Sequence, residues 1–217
     1  MKNVRIWFEK KGAARYISHL DLTHAMSRAL KLSGLPVWYT EGFNPRIYMT
    51  YAMPLSLGVQ GEHECMDIRL TEDRALSDIV SRLNERLPAD IRVLSAAEPL
   101  KKFEEIAFAD YDIFLESESS AALEEKIQNL LKREQLLVMK HGKKGDKELD
   151  IKPYFKASEI CRISAGTLRI SFRLPCSASG SVNPALLLDA LLKYDGEEPT
   201  AKIVRKRLLI QDFSDFQ

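Results

Sequence analysis

The chain has too few cysteines, spaced too widely, to build anything from them. Cys65, Cys161 and Cys176 are odd in number, and none forms a C-x-x-C pair. That excludes a zinc ribbon or an encoded iron–sulfur cluster and fits reduced thiols in a reducing compartment. Long apolar runs are missing too, and nothing approaches the roughly 20 apolar residues of a membrane span. The opening MKNVRIWFEKKG goes straight into strand-like alternation, with no charged-then-apolar leader, which points to the cytoplasm. The commonest enzyme signatures, GxxxxGKS/T, GxSxG and HExxH, do not occur. Charge of one sign is lacking as well. A formal net charge of +1 supplies no global field for duplex DNA, so any nucleic-acid contact must come from local patches.

What is present describes an ordinary globular protein. The 217 residues, 45% hydrophobic and 29% charged, can bury a proper core as one large domain or two small ones. Val4 to Phe8 alternate as a strand, and Lys10-Lys11-Gly12 reads as the turn after it. Ser18 and Asp21 have capping-box spacing ahead of Leu22, Ala25, Met26, Ala29 and Leu30, one apolar helical stripe. Gly34 and Pro36 end that helix. Strands follow at 48–53 and 65–70, then a helix with Leu76, Ile79, Val80, Leu83 and Leu87 on one face, and a strand at 91–94.

The order β-α-β-β-α-β is that of a ferredoxin-like unit. It starts again at Tyr111 and runs through helices marked by Leu123, Ile127 and Leu130 and by Leu187, Leu188 and Leu191. Asn183-Pro184 has the spacing of a cap with proline in the first helical position. The fold class is therefore α+β, two tandem ferredoxin-like units with antiparallel sheets over 1–98 and 105–217. One larger α+β sheet is the alternative.

Two short stretches carry residues suited to binding. His19 stands at the first position of its helix, where free N–H groups favour an anion, and imidazole can move a proton near neutral pH. Tyr16, Ser18 and His19 can together hold a phosphate or carboxylate, or Ser18 and Asp21 simply cap the helix. In Gly42-Phe43-Asn44-Pro45-Arg46, Phe43 can stack on a flat ring and Arg46 can fork onto an anion. The other reading is a proline turn with Phe43 plugged into the core. His63, Glu64 and Cys65 are ligand types, but alternation splits them between faces, so no metal is expected and Glu64 and Asp67 read as strand decoration. Farther on, Arg169, Arg173, Arg205 and Arg207, with Lys143, Lys144 and Lys147, form either a polyanion groove or a solvated sheet face.

Several stretches carry a resemblance: Arg15-Tyr16-Ile17-Ser18-His19-Leu20-Asp21, Ser33-Gly34-Leu35-Pro36, Glu41 to Arg46, Ala52 to Val59, Leu149 to Tyr154 and Ser181-Val182-Asn183-Pro184. Together they resemble the radical SAM-linked protein family, a domain of unknown function (DUF2344), over almost the whole chain. The resemblance implies a radical SAM enzyme as partner, because members occur alone or fused behind one. The iron–sulfur cluster and SAM would then belong to that enzyme, and this chain would carry no cofactor. The family supplies no catalytic residues to carry over. The doubled fold with an early helical histidine is also similar to the CRISPR RNA-processing endonucleases of the RAMP superfamily, although their glycine-rich loop near the C-terminus is missing here.

The expectation is an accessory or substrate-binding protein for a radical SAM enzyme, with RNA as a candidate ligand. Tyr16, Ser18, His19, Phe43, Asn44 and Arg46 would form its cleft. The alternatives are a metal-independent RNA endonuclease with His19 as general acid or base, and a protein–protein adaptor. The shared cleft requires His19 and Arg46 to lie side by side in solvent.

Overall fold

Period-two burial builds the first strand, β1 (Lys2–Lys10), with Val4, Ile6 and Phe8 in the core beneath the helices. The same parity carries Lys10 inside, where it is 2% exposed. The turn expected at Lys10 therefore begins one residue later. In this computed structural model, which describes residues 1–140, 145–196 and 199–217, the chain is a mixed α+β fold. Its strands are mostly antiparallel, and five α-helices occur among the described residues. The chain divides into two compact units, Met1–Ala107 with Arg207–Gln217, and Phe108–Lys206. No helix among the described residues is long and apolar enough to cross a membrane.

The first unit continues through α1 (His19–Leu32), β2 (Met49–Tyr51), β3 (Val59–Leu70), α2 (Leu76–Asn84) and β4 (Ile91–Ala97). Its strands lie in the order β4-β1-β3-β2, each pair antiparallel. Helix α1 buries Leu22, Met26, Ala29 and Leu30, of which Leu22, Met26 and Leu30 are each worth about 1.5–3 kcal/mol when removed from water. It ends at Gly34, whose φ of +68° needs glycine, and Arg82 of α2 donates to the Ser33 carbonyl at 3.2 Å.

The turn that feeds α1 is held from β4's side. Ala13 and Ala14 N–H groups donate to one oxygen of Asp90, at 2.8 and 3.3 Å. A Cβ on Gly12 would meet that carboxyl at 2.6 Å, and Gly12 has φ +53° besides. The other face of β1 and β3 carries a buried ion pair. Arg5 donates twice to Asp67, at 2.8 and 3.0 Å, and its guanidinium lies 4.6 Å from the Phe103 ring and 4.7 Å from Phe216. Trp7 stacks on His63 at 4.6 Å on the same face. Asp67 is thus half of a structural pair.

The second unit holds β5 (Ile106–Glu116), α3 (Ser120–Lys132), β6 (Leu137–Lys140), β7 (Lys147–Asp150), α4 (Lys152–Phe155), β8 (Glu159–Ser164), β9 (Thr167–Ser177), β10 (Gly180–Ser181), α5 (Leu186–Asp195) and most of β11 (Thr200–Ile210). Strand β9 pairs with β5 along one edge and with β8 and β10 along the other. Strands β6 and β7 form a separate hairpin. Leu168, Ile170, Phe172, Leu174 and Cys176 alternate into the core. Helix α5 starts later than its sequence suggests. Asn183 accepts from the Ala185 N–H at 3.0 Å in a preliminary turn, and Leu186 is the first helical residue. The end of β11 and the tail, which the sequence reading groups with 105–217, cluster with the first unit.

Candidate functional site

The residues singled out around α1 and the glycine loop lie in two surroundings. At the start of α1 the chain satisfies itself. The Asp21 N–H donates to Ser18 Oγ at 3.1 Å, while the Ser18 N–H and hydroxyl donate to Asp21 Oδ2 at 3.2 and 2.7 Å. These bonds hold the Asp21 carboxyl below its ordinary pKa, with the Ser18 hydroxyl as the main cause. The helix therefore already carries an anion at its positive end. Ser18 is spent as a cap.

His19 packs edge-on against Tyr51, with centroids 4.8 Å apart. Partial burial, and then the charge of Lys10, push the imidazole below its usual pKa, so it is neutral at neutral pH. The Tyr51 hydroxyl is buried beside Thr23, whose own hydroxyl donates to the His19 carbonyl at 2.8 Å. Burial pushes that phenol up in pKa. Beneath lie two buried ionisable residues, Lys10 and the 3%-exposed Glu64, both engaged in interactions. Glu64 lies over Gly61, where a Cβ would meet its Cγ at 2.5 Å, and Gly61 pairs with Lys10 across the sheet. Glu64 is an interior residue, in contrast to the strand decoration expected of it. Tyr16 stays 62% exposed, with the Arg15 guanidinium 4.5 Å over its ring and bonded to its hydroxyl.

The glycine loop is the tip of a projecting hairpin. Val37 pairs with Leu70 and Met49 with Ile68, both on one edge of β3, so the chain between them must loop away from that edge and return. Its arms are tied by Thr40 N–H to the Arg46 carbonyl at 2.8 Å, Tyr48 N–H to the Trp38 carbonyl at 3.1 Å, and Arg46 N–H to Thr40 Oγ1 at 3.1 Å. At its base the Arg69 guanidinium lies 4.8 Å from the Trp38 ring and 4.6 Å from Tyr48, and it also donates to Asn3 at 3.0 Å.

At the tip, Gly42 has φ +122°, and Phe43, Asn44 and Arg46 are exposed. The Phe43 ring is fully in solvent, at 106%. The reading that plugs Phe43 into the core is thereby excluded. Among the described residues, no hydrogen bond, ion pair or ring contact joins His19 to Arg46.

The four arginines proposed for a polyanion do not present four free cations. Arg173 donates to both oxygens of Asp110, at 2.7 and 3.1 Å, and Arg207 to Asp215 at 3.0 Å. Arg169 Nη2 lies 4.0 Å from Glu159. Arg205 is 2% exposed, with Nη1 directed at the Cys176 sulfur, inside the continuous buried run of Ile203, Val204 and Arg205 in β11. Lys143 and Lys144 lie outside the described residues, and Lys147 is exposed. No group of three His, Cys, Asp or Glu side chains suited to a metal ion occurs among the described residues.

Sequence reasoning reads Lys10 as turn and Glu64 as strand decoration, and gives Tyr51, Trp38 and Tyr48 no part in the site. A signal for the first two was available: Lys10 continues the parity of Val4, Ile6 and Phe8, and Glu64 that of Met66, Ile68 and Leu70.

A family model described as "Uncharacterized protein conserved in bacteria (DUF2344)" matches residues 3–184. No curated protein matches the chain. Among solved structures, an unknown protein from Galdieria sulphuraria is 14% identical, with 94% of this chain and 98% of that one covered and a TM-score of 0.26. A candidate glycine cleavage system transcriptional repressor is 13% identical, with the same shares covered and a TM-score of 0.24. Superpositions that poor carry no argument about fold or function.

Proposed function

The chain belongs to the DUF2344 family, and we propose that it serves a radical SAM enzyme in the cytoplasm as an accessory or substrate-binding protein. In this reading the enzyme holds the iron–sulfur cluster and SAM, and this chain supplies recognition. The observation that carries it is the fully exposed Phe43 on a hairpin braced by Trp38, Arg69 and Tyr48. An aromatic ring held wholly in water does nothing for the fold. A braced hairpin loses little entropy on binding, so ring burial can appear largely as affinity.

Arg46 and Asn44, exposed beside the ring, supply polar anchors for a partner surface or a substrate such as RNA. The strand order β4-β1-β3-β2 supports a ferredoxin-like first unit, and β8-β9-β5-β11 follows the same plan in the second once β6, β7 and α4 are set aside. The test is reconstitution with a radical SAM enzyme encoded beside the gene. Complex formation and a change in that enzyme's turnover are expected; absence of both contradicts the proposal.

The surroundings of His19 favour a second reading. A neutral imidazole, exposed on one side and backed by Tyr51 and the charge of Lys10, is in the right form to accept a proton at neutral pH. A metal-independent RNA endonuclease would use it so. That reading requires cleavage of a structured RNA in chelator and loss of cleavage in His19→Ala; intact RNA after prolonged incubation removes it.

A further inference from the structure

The outer edge of β4 is occupied by a side chain. Strand β4 pairs with β1 through Phe8–Val93, Glu9–Arg92 and Lys10–Ile91, and among the described residues no strand lies on its other side. In an antiparallel ladder alternate residues turn both N–H and C=O to the same side, so Ile91 and Val93 share one direction. That direction is outward, because their partners lie away from β1. The Val93 N–H donates to Asn84 Oδ1 at 2.8 Å, and Asn84 Nδ2 donates to the Val93 carbonyl at 2.9 Å. The Ile91 N–H donates to the Pro88 carbonyl at 3.0 Å. A carboxamide has the donor and acceptor geometry of a peptide group, so Asn84 makes at Val93 the two bonds that a neighbouring strand would make. It can do so because it is the last residue of α2, and the chain turns from there directly into β4.

Two other features of the edge agree. The ladder to β1 shifts register between Trp7 and Phe8, which adds local twist, and the extra residue this leaves on β4, Leu94, is an exposed apolar side chain. An exposed edge strand with an apolar residue and free peptide groups is a template for pairing with an identical strand.

We infer that Asn84 closes the β4 edge, and that without its carboxamide a second copy of this chain adds to β4 in antiparallel register. The occupant is a second copy because the edge is then self-complementary: an antiparallel β4–β4 pair is isologous, each Val93 region meeting its twin. The inference is independent of the function proposed above.

The test is Asn84→Ala in the full chain, measured by light scattering across a concentration series, with amide hydrogen exchange at Val93. The variant is expected at about twice the wild-type mass at high concentration, with the Val93 amide again protected on association. Adding Leu94→Lys, a charge on the edge, is expected to restore the wild-type mass. A folded Asn84→Ala protein that keeps the wild-type mass at every concentration overturns the inference. So does a wild-type protein whose own association protects the β4 edge. Should Asn84→Ala fail to fold, the uncharged Asn84→Ser is read the same way. Its side chain is too short to span both Val93 groups and puts no charge on the edge; a larger mass supports the inference and an unchanged mass overturns it.

Discussion

The start of α1 and the tip of the 37–48 hairpin use similar residue types to opposite ends. Both carry an aromatic ring, a polar side chain and an arginine. At the helix start the polar groups close on one another: Ser18 and Asp21 bond reciprocally and Arg15 lies on Tyr16. At the hairpin the bracing is done lower down, by Trp38, Arg69 and Tyr48, and the Phe43 ring at the tip stands fully in solvent. The difference teaches that composition marks a stretch as suited to binding, whereas the state of its hydrogen bonds decides whether it is available. A capped helix start is a structural joint, and a braced hairpin with a bare ring fits the recognition proposed for it.

The comparison can be broken most readily at Phe43. Phe43→Ala should weaken the proposed complex with a radical SAM enzyme by about 2 kcal/mol or more, as for a buried aromatic anchor, and leave the melting temperature unchanged. Isothermal titration and thermal melts measure the two. A fall in melting temperature with unchanged affinity would make the ring structural and erase the contrast.

Ser18→Ala sharpens the other side. Loss of the cap should lower stability by about 1 kcal/mol, read by urea unfolding, with affinity unaffected. Acid should act in the same direction through the histidines. His19 and His63 both have folded pKa values below the usual 6.5, burial being the first cause for each. The unfolded chain then binds protons first as pH falls through about 6.5. Stability should therefore be full above that pH and decline below it until the folded-state groups protonate. Urea midpoints at pH 7.5 and 5.5 measure this, and His19→Gln should flatten part of the slope. The smallest effect is expected for Arg46→Ala. As an exposed charge it should cost the complex only a few tenths of a kcal/mol to about 1 kcal/mol, and less at high salt.

Much of the first unit is legible before any coordinates. The capping box, the Leu22–Met26–Ala29–Leu30 stripe and the Gly34 stop are local rules, and the structure follows them. Charged residues at buried positions are harder to read. Lys10 and Glu64 obey strand parity, yet charge is a strong prior for the surface, and only pairing across the sheet reveals the interior environment that accepts them.

The hairpin's brace was hidden for a different reason. Trp38 and Tyr48 meet Arg69, which arrives on another strand, and no spacing rule links the three. The expected cleft joined His19 to Arg46 because they flank one helix in sequence. Sequence adjacency says nothing about hydrogen-bond closure, which the structure shows for Ser18 and Asp21 at the same helix start.

The most direct measurement is amide hydrogen exchange within the first unit of the full chain, free and mixed with the proposed radical SAM partner. The account predicts slowed exchange across residues 38–48 on binding, with the amides of 18–24 unchanged. Protection at the start of α1 with none in the hairpin would contradict it.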